Sequence, residues 1–351
     1  MVGSRSLWLG AILVILASCG PTAPATGARP ASVSPGARGT EAAAPVPRTT
    51  LKVAYVPVLA FAPLYRALSK GYFSDAGIDV DLTIVQSASD SVAFLGSGQM
   101  DVAVGNVGAP LFNAINRGLE VRVVAGNSYN QPEATTLVAA PLLMRRQLQE
   151  ELRSPADLRG RKVAINAPGG IQEYSLSRLL ENNQIPIRDV DVQYIPFPEM
   201  MTALANGAID AAMLPEPFSG TARDQGIAAV LVANPSPGST ITAVMFGENM
   251  LKPDRDRPAR AFLEAMRKAA NELQSEQEIF SDENLTIWKE YTGVAEQDIK
   301  RGAPYAYSRN LVLDTRSVLD QQAFFLRAGR LDFAEPLPES KIVEMRFTPR
   351  G

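Results

Sequence analysis

Apolar and polar positions follow two different periods along the chain, and the alternation between them predicts strands and helices in turn. Residues 51–57 form a mostly apolar run that ends at a proline, which is typical of a buried strand. Residues 62–70 place apolar side chains at helical spacing, and residues 78–86 alternate apolar with polar side chains as a half-buried strand does. This succession continues to residue 246, and a long amphipathic helix is predicted over residues 257–273. Strands that alternate with helices indicate an α/β fold built on parallel sheets.

One short stretch occurs twice within this pattern. The segments Gly98–Ala103 and Gly207–Ala212 each follow an apolar helical pattern and place an aspartate at the start of an apolar strand, at an offset of 109 residues. The segments Lys52–Tyr55 and Lys162–Ile165 match at an offset of 110 residues. Repeats that keep their order and almost keep their offset predict two similar lobes. The expected boundaries are residues 50–137 plus 241–351 for the first lobe and residues 138–240 for the second.

The first 49 residues differ in pattern from the rest. Leu7–Leu16 is almost entirely apolar, but it is too short to cross a bilayer as a helix. Small residues follow it up to Cys19, so the segment resembles a bacterial lipoprotein signal, which implies that residues 1–18 are removed and that Cys19 is acylated. An ordinary signal peptide with an incidental cysteine is the alternative. Residues 19–49 are rich in Pro, Ala, Gly, Ser and Thr and predict a disordered tether.

Composition excludes several classes of function. The 351 residues are 46% hydrophobic and 20% charged, which is ordinary for a globular protein. The net charge of −3 gives no electrostatic reason to expect nucleic acid as a partner. The chain has no histidine, which removes histidine-based catalysis and imidazole metal sites, and its single cysteine cannot form an internal disulfide. We expect no cofactor and no metal.

Three segments of the first lobe carry a family resemblance. They are Ala62–Phe73, which contains Lys70-Gly71-Tyr72-Phe73, then Ala76–Val80, and then Gly98–Asp101. In this order they resemble the ABC-transporter substrate-binding proteins for sulfonates, nitrate and thiamine-pyrimidine precursors, over about residues 51–335. The resemblance implies a type II periplasmic-binding-protein fold, in which two similar parallel-sheet lobes are joined by crossover strands and face each other across a cleft.

The same resemblance implies a function. It implies that this protein is not an enzyme but binds a small molecule outside the cytoplasm and delivers it to the transmembrane subunits of an ABC permease. Together with Cys19, this implies a monomer held at the membrane by a lipid anchor. One eukaryotic relative of the family makes thiamine pyrimidine with a protein histidine, and this chain has no histidine for that chemistry.

The candidate ligand site is expected in the cleft between the lobes. Ligands of open parallel sheets bind beyond the carboxyl ends of the strands, and two facing lobes bring two such edges together. Asp101 and Asp210 begin their strands, away from these edges, and are interpreted as structural. The glycine-rich loop 166–170 opens a helix and exposes backbone N–H groups. The candidate ligand-binding residues are Phe61, Asp90, Asn106, Asn127, Tyr129, Asn166, Gly169, Gly170, Gln172, Phe197, Glu199 and Glu216.

The residue types in these loops indicate a ligand class. The loops hold aromatic, amide and carboxylate side chains but no Lys or Arg, which sulfonate or nitrate would usually require, although backbone N–H groups can substitute. We therefore expect a pyrimidine, flavin or similar nitrogenous ring, with a sulfonate or nitrate as the alternative. Two other classes stay open. They are an enzyme of pyrimidine metabolism that uses a carboxylate pair such as Glu199 and Glu216, and a sensory lipoprotein.

Overall fold

The computed structural model describes residues 48–133 and 135–347, and within this part of the chain it is an α/β structure with two β-sheets. The strands are β1 Thr49–Tyr55, β2 Ile78–Ile84, β3 Val102–Gly105, β4 Arg122–Tyr129, β5 Leu142–Arg145, β6 Lys162–Ile165, β7 Asp191–Tyr194, β8 Ala211–Met213, β9 Ala228–Val232, β10 Thr240–Phe246 and β11 Ala306–Tyr307.

The α-helices are α1 Ala62–Ser69, α2 Tyr72–Asp75, α3 Ala88–Gly96, α4 Ala109–Asn116, α5 Ile171–Asn182, α6 Phe197–Ala205, α7 Phe218–Asp224, α8 Glu248–Leu251, α9 Asp256–Asn271, α10 Glu276–Ile279, α11 Asp282–Thr292, α12 Glu296–Ile299, α13 Thr315–Arg327 and α14 Glu339–Ile342. Short 3₁₀ turns occupy Leu59–Phe61, Arg146–Leu148, Pro155–Leu158, Ile187–Asp189, Pro253–Arg255, Arg309–Leu311 and Met345–Phe347. The strands and helices predicted from the apolar pattern are present near the expected positions.

The two sheets have corresponding strand orders. The first sheet is ordered β2-β1-β3-β10-β4-β11, and the second is ordered β7-β6-β8-β5-β9. In each sheet the first three strands are parallel, and the next strand, β10 or β5, is antiparallel to both of its neighbours. The sequence predicted parallel sheets, but both sheets are mixed. Strands β10 and β5 each enter their sheet from the other lobe and not through a crossover helix, so they run antiparallel to their neighbours. Lobe I and lobe II name the parts of the chain built on the first and the second sheet.

Two segments connect the lobes. The chain leaves the first sheet after β4 and returns to it at β10, whose first residue lies one position before the expected boundary at residue 241. The two connections run side by side, since Asn130 N–H donates to the carbonyl of Ser239 at 2.9 Å and Val138 N–H donates to that of Ala233 at 3.1 Å. Both connections emerge where the strand ends of the two lobes face each other.

The two repeated aspartates join strands at their starts. The carboxylate of Asp101 accepts the backbone N–H of Lys52 at 2.9 Å, and the N–H of Asp101 donates to the Lys52 carbonyl at 2.9 Å. Asp210 makes the same two bonds with Lys162, at 3.0 and 2.9 Å. The structural interpretation of both aspartates is confirmed. Each one satisfies backbone groups at the point where a central strand meets its neighbour.

Apolar side chains are buried on both faces of each sheet. In lobe II, Val163 and Ile165 of β6 belong to the core on one face, while Ala164 belongs to the core on the other face, as the two-residue period of a strand requires. In lobe I one continuous core extends from Leu51 in β1 to Phe347 near the C-terminal end of the described chain. These packed cores give the strand-end loops a fixed support.

The described chain begins at Arg48, whose side chain forms an ion pair with Asp79. Thr49 is already part of β1, so the last two residues of the predicted tether belong to the folded region. The predicted signal segment 1–18, Cys19 and the rest of the predicted tether lie outside the described residues. Among the residues that the structure does describe, no helix is both long enough and apolar enough to span a bilayer.

Candidate functional site

A cavity of about 60 Å³ lies between the two lobes, at the carboxyl ends of their strands. It is lined by Val56, Val58, Ala60, Phe61, Asn106, Asn130, Ala140, Asn166, Ala167, Gly170, Ile171, Gln172, Ser175, Phe197, Met213, Pro215, Ile241, Thr242 and Tyr305. Phe61, Phe197 and Tyr305 supply aromatic surface to both sides of it. Among these described residues none carries a formal charge, so the cavity offers apolar surface and neutral polar groups.

The lobes touch each other around the rim of this cavity. Ala109 N–H of lobe I donates to the carbonyl of Gly169 in lobe II at 2.8 Å. The side-chain amide of Asn166 in lobe II donates to the carbonyl of Gln86 in lobe I at 3.1 Å. The structure therefore shows the cleft in a closed arrangement.

Three asparagines present unused acceptors at the cavity. The side-chain nitrogens of Asn106, Asn130 and Asn166 donate to backbone carbonyl groups at 2.7, 3.2 and 3.1 Å. These bonds fix which end of each amide is committed to the protein. The three Oδ1 atoms accept no hydrogen bond from any described residue. The residues that line the cavity therefore include three neutral amide oxygens that are free to accept from a ligand.

Tyr305 presents a hydroxyl group to the same cavity. Its side chain is buried, its ring stacks against Tyr307 at 6.1 Å, and its hydroxyl has no hydrogen-bond partner among the described residues. Burial, helped by the negative charge of Glu216, raises the pKa of this hydroxyl, so it stays protonated at neutral pH. Tyr305 is consequently available as a donor as well as an acceptor.

Other polar groups in the wall are already committed to the protein. Gln172 bridges two strand ends, since its Oε1 accepts the N–H of Asn166 at 2.6 Å and its Nε2 donates to the Met213 carbonyl at 2.7 Å. Ser175 shares a hydrogen bond with Ser236 at 2.7 Å. Both residues belong to α5, whose first turn also borders the cavity and leaves backbone N–H groups without intrahelical partners. These groups shape the wall, and the helix start adds donors to it.

Half of the residues predicted from the sequence line the cavity. They are Phe61, Asn106, Asn166, Gly170, Gln172 and Phe197, and their contact with a ligand stays a prediction. The structure places the other six, Asp90, Asn127, Tyr129, Gly169, Glu199 and Glu216, outside the lining.

The three predicted carboxylates lie outside it for different reasons. Asp90 caps its own helix, where its carboxylate accepts the N–H and the hydroxyl of Ser87 at 3.1 and 3.0 Å. Glu216 is fully buried and bonds Arg223 at 3.0 Å, together with two backbone N–H groups. Glu199 is exposed on the first turn of α6. The negative charge expected in the site is therefore absent from its described lining.

The other three residues support the site or lie beyond it. Asn127 is buried and its amide donates to the carbonyl of Ala60 at 2.7 Å and to Thr242 Oγ1 at 2.8 Å, so it holds two lining residues. Gly169 packs against lobe I at the rim. Tyr129 is 37% exposed and borders a separate groove at the connection between the lobes.

Four polar residues of the lining are not among the candidate ligand-binding residues predicted from the sequence. Asn130 carries the one usable signal, since it lies in the polar loop that follows a predicted strand. Ser175 and Thr242 are inside a helix and a strand, and Tyr305 precedes a two-residue strand that no apolar pattern announces. Within the described ranges, no group of three or more Cys, Asp or Glu side chains is placed to hold a metal ion.

Comparison with known proteins places this fold and cavity in context. The family model described as NMT1/THI5 like matches residues 59–278. Riboflavin-binding protein RibY of Chloroflexus aurantiacus is 28% identical over 200 residues, which cover 56% of this chain and 53% of RibY. Nitrate/nitrite binding protein NrtA of Nostoc sp. is 26% identical over 223 residues, which cover 60% of this chain and 50% of NrtA. The chain thus spans about half the length of these curated relatives.

Two solved structures show the same fold. The alkanesulfonate-binding protein SsuA from Xanthomonas axonopodis, bound to MOPS, superposes with a TM-score of 0.69 at 16% identity and covers 85% of this chain and 99% of SsuA. The desulfurization enzyme DSZB superposes with a TM-score of 0.59 at 17% identity and covers 86% of this chain and 98% of DSZB. At these identities the likeness establishes the fold alone, and that fold serves both a binding protein and an enzyme.

Proposed function

Because this chain belongs to the NMT1/THI5-like family, we propose that it is the solute-binding component of an ABC importer. It closes on a small organic molecule and delivers that molecule to a membrane permease. The binding functions in the names of RibY and NrtA support this role. So does the architecture, in which two lobes on paired connections enclose a cavity, as hinge closure around a solute requires.

The ligand is a neutral, flat nitrogen heterocycle that carries N–H groups. The observation that carries this assignment is the set of unpaired Oδ1 atoms on Asn106, Asn130 and Asn166, next to aromatic surface. The amino group of an aminopyrimidine supplies two N–H donors, enough for two of these three acceptors, and its ring nitrogens can accept from the Tyr305 hydroxyl. A ligand that covered these oxygens without supplying a donor would lose about 1–3 kcal/mol for each one, so a ligand that supplies donors is favoured.

The same observation argues against sulfonate and nitrate. The nitrate ion and the sulfonate group itself carry acceptors and no donors, so three carbonyl oxygens would face them with like polarity. The first turn of α5 offers N–H groups that favour an anion, but no described lining residue adds a positive charge. We therefore expect the repulsion of an anion by the three carbonyl oxygens to exceed its attraction to the N–H groups at the start of α5.

Cavity size favours a single ring over a flavin. About 60 Å³ is available in the closed arrangement, whereas an engineered cavity that binds benzene measures roughly 150 Å³. A pyrimidine needs a modest parting of the lobes, and a three-ring flavin needs a much larger one. We therefore place pyrimidines ahead of flavins as ligands.

The proposal includes a location. Acylation of Cys19 would hold the protein, as a monomer, on the outer face of a membrane, next to its permease. Mass spectrometry of the exported protein should show a lipid-modified Cys19 as the first residue. An unmodified Cys19 would overturn the lipid anchor and leave the binding role unaffected.

The binding role is tested by calorimetry on the full-length protein with 4-amino-2-methylpyrimidine, riboflavin, nitrate and taurine. We expect the aminopyrimidine to bind and to be recovered chemically unchanged after incubation, as a receptor rather than an enzyme requires. Asn106→Leu, which removes one acceptor, should weaken this binding about fivefold, since a hydrogen bond is worth roughly 1 kcal/mol. Asn183→Leu, an exposed change outside the cavity, is the control. Tight nitrate or taurine binding without aminopyrimidine binding would refute the ligand class, and conversion of the pyrimidine would refute the receptor.

A further inference from the structure

Both backbone polar groups of Gly169, its N–H and its carbonyl, are hydrogen-bonded. Its N–H donates to the Glu173 carboxylate at 2.5 Å, and its carbonyl accepts the N–H of Ala109 from lobe I at 2.8 Å. The next residue, Gly170, lines the cavity. The position of this glycine loop therefore depends on one bond inside lobe II and one bond across the cleft.

Glu173 is itself bound across the cleft. It lies in the first turn of α5 and is 3% exposed, and its Oε1 accepts Nε and Nη2 of Arg330 at 2.8 and 2.5 Å. Nη2 of Arg330 also donates to the hydroxyl of Tyr194 at 3.2 Å. One oxygen of this buried carboxylate thus holds the glycine loop, and the other holds a cation from lobe I.

Both contacts from lobe I come from the same part of it. Ala109 is the first residue of α4, and Asn113 on that helix donates through Nδ2 to the backbone carbonyl of Arg330 at 3.1 Å. Asn113 Oδ1 also accepts the N–H of Asp332 at 2.9 Å. The turn that carries Arg330 therefore moves with α4, and the two contacts on the glycine loop form and break together.

We propose that Glu173 and Arg330 are positioning residues that latch the Gly169–Gly170 loop over the bound ligand. The pair is complete only when the lobes are closed. Opening takes the guanidinium away from the Glu173 carboxylate, which is 3% exposed in the closed arrangement, and breaks two charge-assisted hydrogen bonds at once. The latch therefore slows opening and ligand release and leaves the rate of encounter unchanged. Its effect on release rests on the proposed binding function, whereas its effect on the loop does not.

Hydrogen exchange on the full-length protein tests the latch without a ligand. In Arg330→Gln we expect the amides of Gly169 and Ala109 to exchange about tenfold faster than in the parent protein. Arg327→Gln is the matched control, because Arg327 is exposed, lines the same surface groove and has no ion pair among the described residues. Unchanged exchange at both amides in Arg330→Gln, or an equal change in Arg327→Gln, would overturn the proposal.

Two further variants separate positioning from general support. Arg330→Lys keeps the charge but loses the two-pronged geometry, so it should restore part of the protection. Adding Glu173→Gln to Arg330→Gln should accelerate exchange at Ala109 no further, because both changes break one unit. Additive effects of the two changes, or no recovery in Arg330→Lys, would contradict a shared latch.

Release kinetics supply a second measurement. With 4-amino-2-methylpyrimidine as the probe, Arg330→Gln should raise the dissociation rate about tenfold and leave the association rate within a factor of two. A change confined to the association rate would contradict the latch. Should the probe fail to bind the parent protein, the proposed ligand fails, and the exchange measurement still decides the latch.

Discussion

The two lobes are alike where their strands begin and different where their strands end. At the starts, Asp101 and Asp210 make the same pair of hydrogen bonds to Lys52 and Lys162, within 0.1 Å of each other. Their outer partners differ: Asn249 approaches Asp101 at 3.4 Å, whereas Arg145 approaches Asp210 at 3.7 Å. The inner bonds are the ones that join the strands.

The strand ends of the same two units have diverged. After β3, Asn106 commits its amide nitrogen to the protein and leaves its oxygen to the cavity. After β8, Glu216 turns away from the cavity and bonds the N–H groups of Gly220 and Ala303 at 2.8 and 2.9 Å, and Arg223 at 3.0 Å. One end serves the cavity and the other fastens the lobes. A duplicated strand-and-helix unit can therefore keep the same hydrogen bonds at its strand starts while the residues after its strand ends serve different roles in the two lobes.

The largest effect is expected from breaking the end that fastens the lobes. Glu216→Ala removes a fully buried carboxylate from two backbone N–H groups and from Arg223, whose side chain is 23% exposed, and should lower the free energy of unfolding by about 3–5 kcal/mol. Glu216→Gln should lose less, because it keeps an acceptor of the same shape. Chemical denaturation measures both, and the exposed Glu199→Ala, at roughly 0.5 kcal/mol or less, is the control. A similar loss in Glu199→Ala would contradict the contrast.

The shared starts should give matching losses. Asp101→Ala and Asp210→Ala each remove a charged acceptor from a strand N–H, at about 2 kcal/mol in denaturation experiments. Asp210→Ala should cost slightly more, since it also leaves Arg145 without its ion pair. If either substitution left the free energy of unfolding unchanged, the matching hydrogen bonds of the two aspartates would not contribute equally to stability.

The cavity side of the comparison is probed by Tyr305→Phe. Removal of the hydroxyl should weaken aminopyrimidine binding about five- to tenfold and leave the unfolding midpoint unchanged, because that hydroxyl bonds no described residue. Tyr129→Phe, at the tyrosine that the sequence predicted, should leave binding unchanged. Calorimetry that showed the reverse order would move the site to the groove beside Tyr129.

The smallest effects are expected at the glycines that follow helices α3 and α6, just before the repeated aspartates. Gly98 and Gly207 have φ of +71° and +77°, so alanine at either should cost about 1 kcal/mol. A methyl group at Gly98 meets open space, whereas one at Gly207 lies 2.8 Å from Nη1 of Arg145. Gly207→Ala should therefore cost slightly more in denaturation, and equal costs would show that Arg145 yields freely.

The sequence could predict the frame because the frame depends on local pattern. Apolar periodicity, helix-ending glycines and the repeated aspartates act over short stretches, and they led to two lobes and a cleft between them. The charge of the site could not be predicted this way. Asp90 belongs to a local capping box with Ser87, for which the Ser-x-x-Asp spacing is a usable signal, whereas Glu216 reaches Ala303, 87 residues further along the chain. The burial of Glu216 depends on a contact that only the assembled chain creates.

Gly108 packs against Gly169 of the other lobe, and this contact leaves no space for a side chain. A β-carbon there would lie 2.4 Å from the carbonyl oxygen of Gly169, which is backbone and cannot swing aside. The single methyl group added by Gly108→Ala would therefore keep the two lobes from closing fully. The degree of lobe closure can thus be altered by one carbon atom, at a residue that does not itself line the cavity.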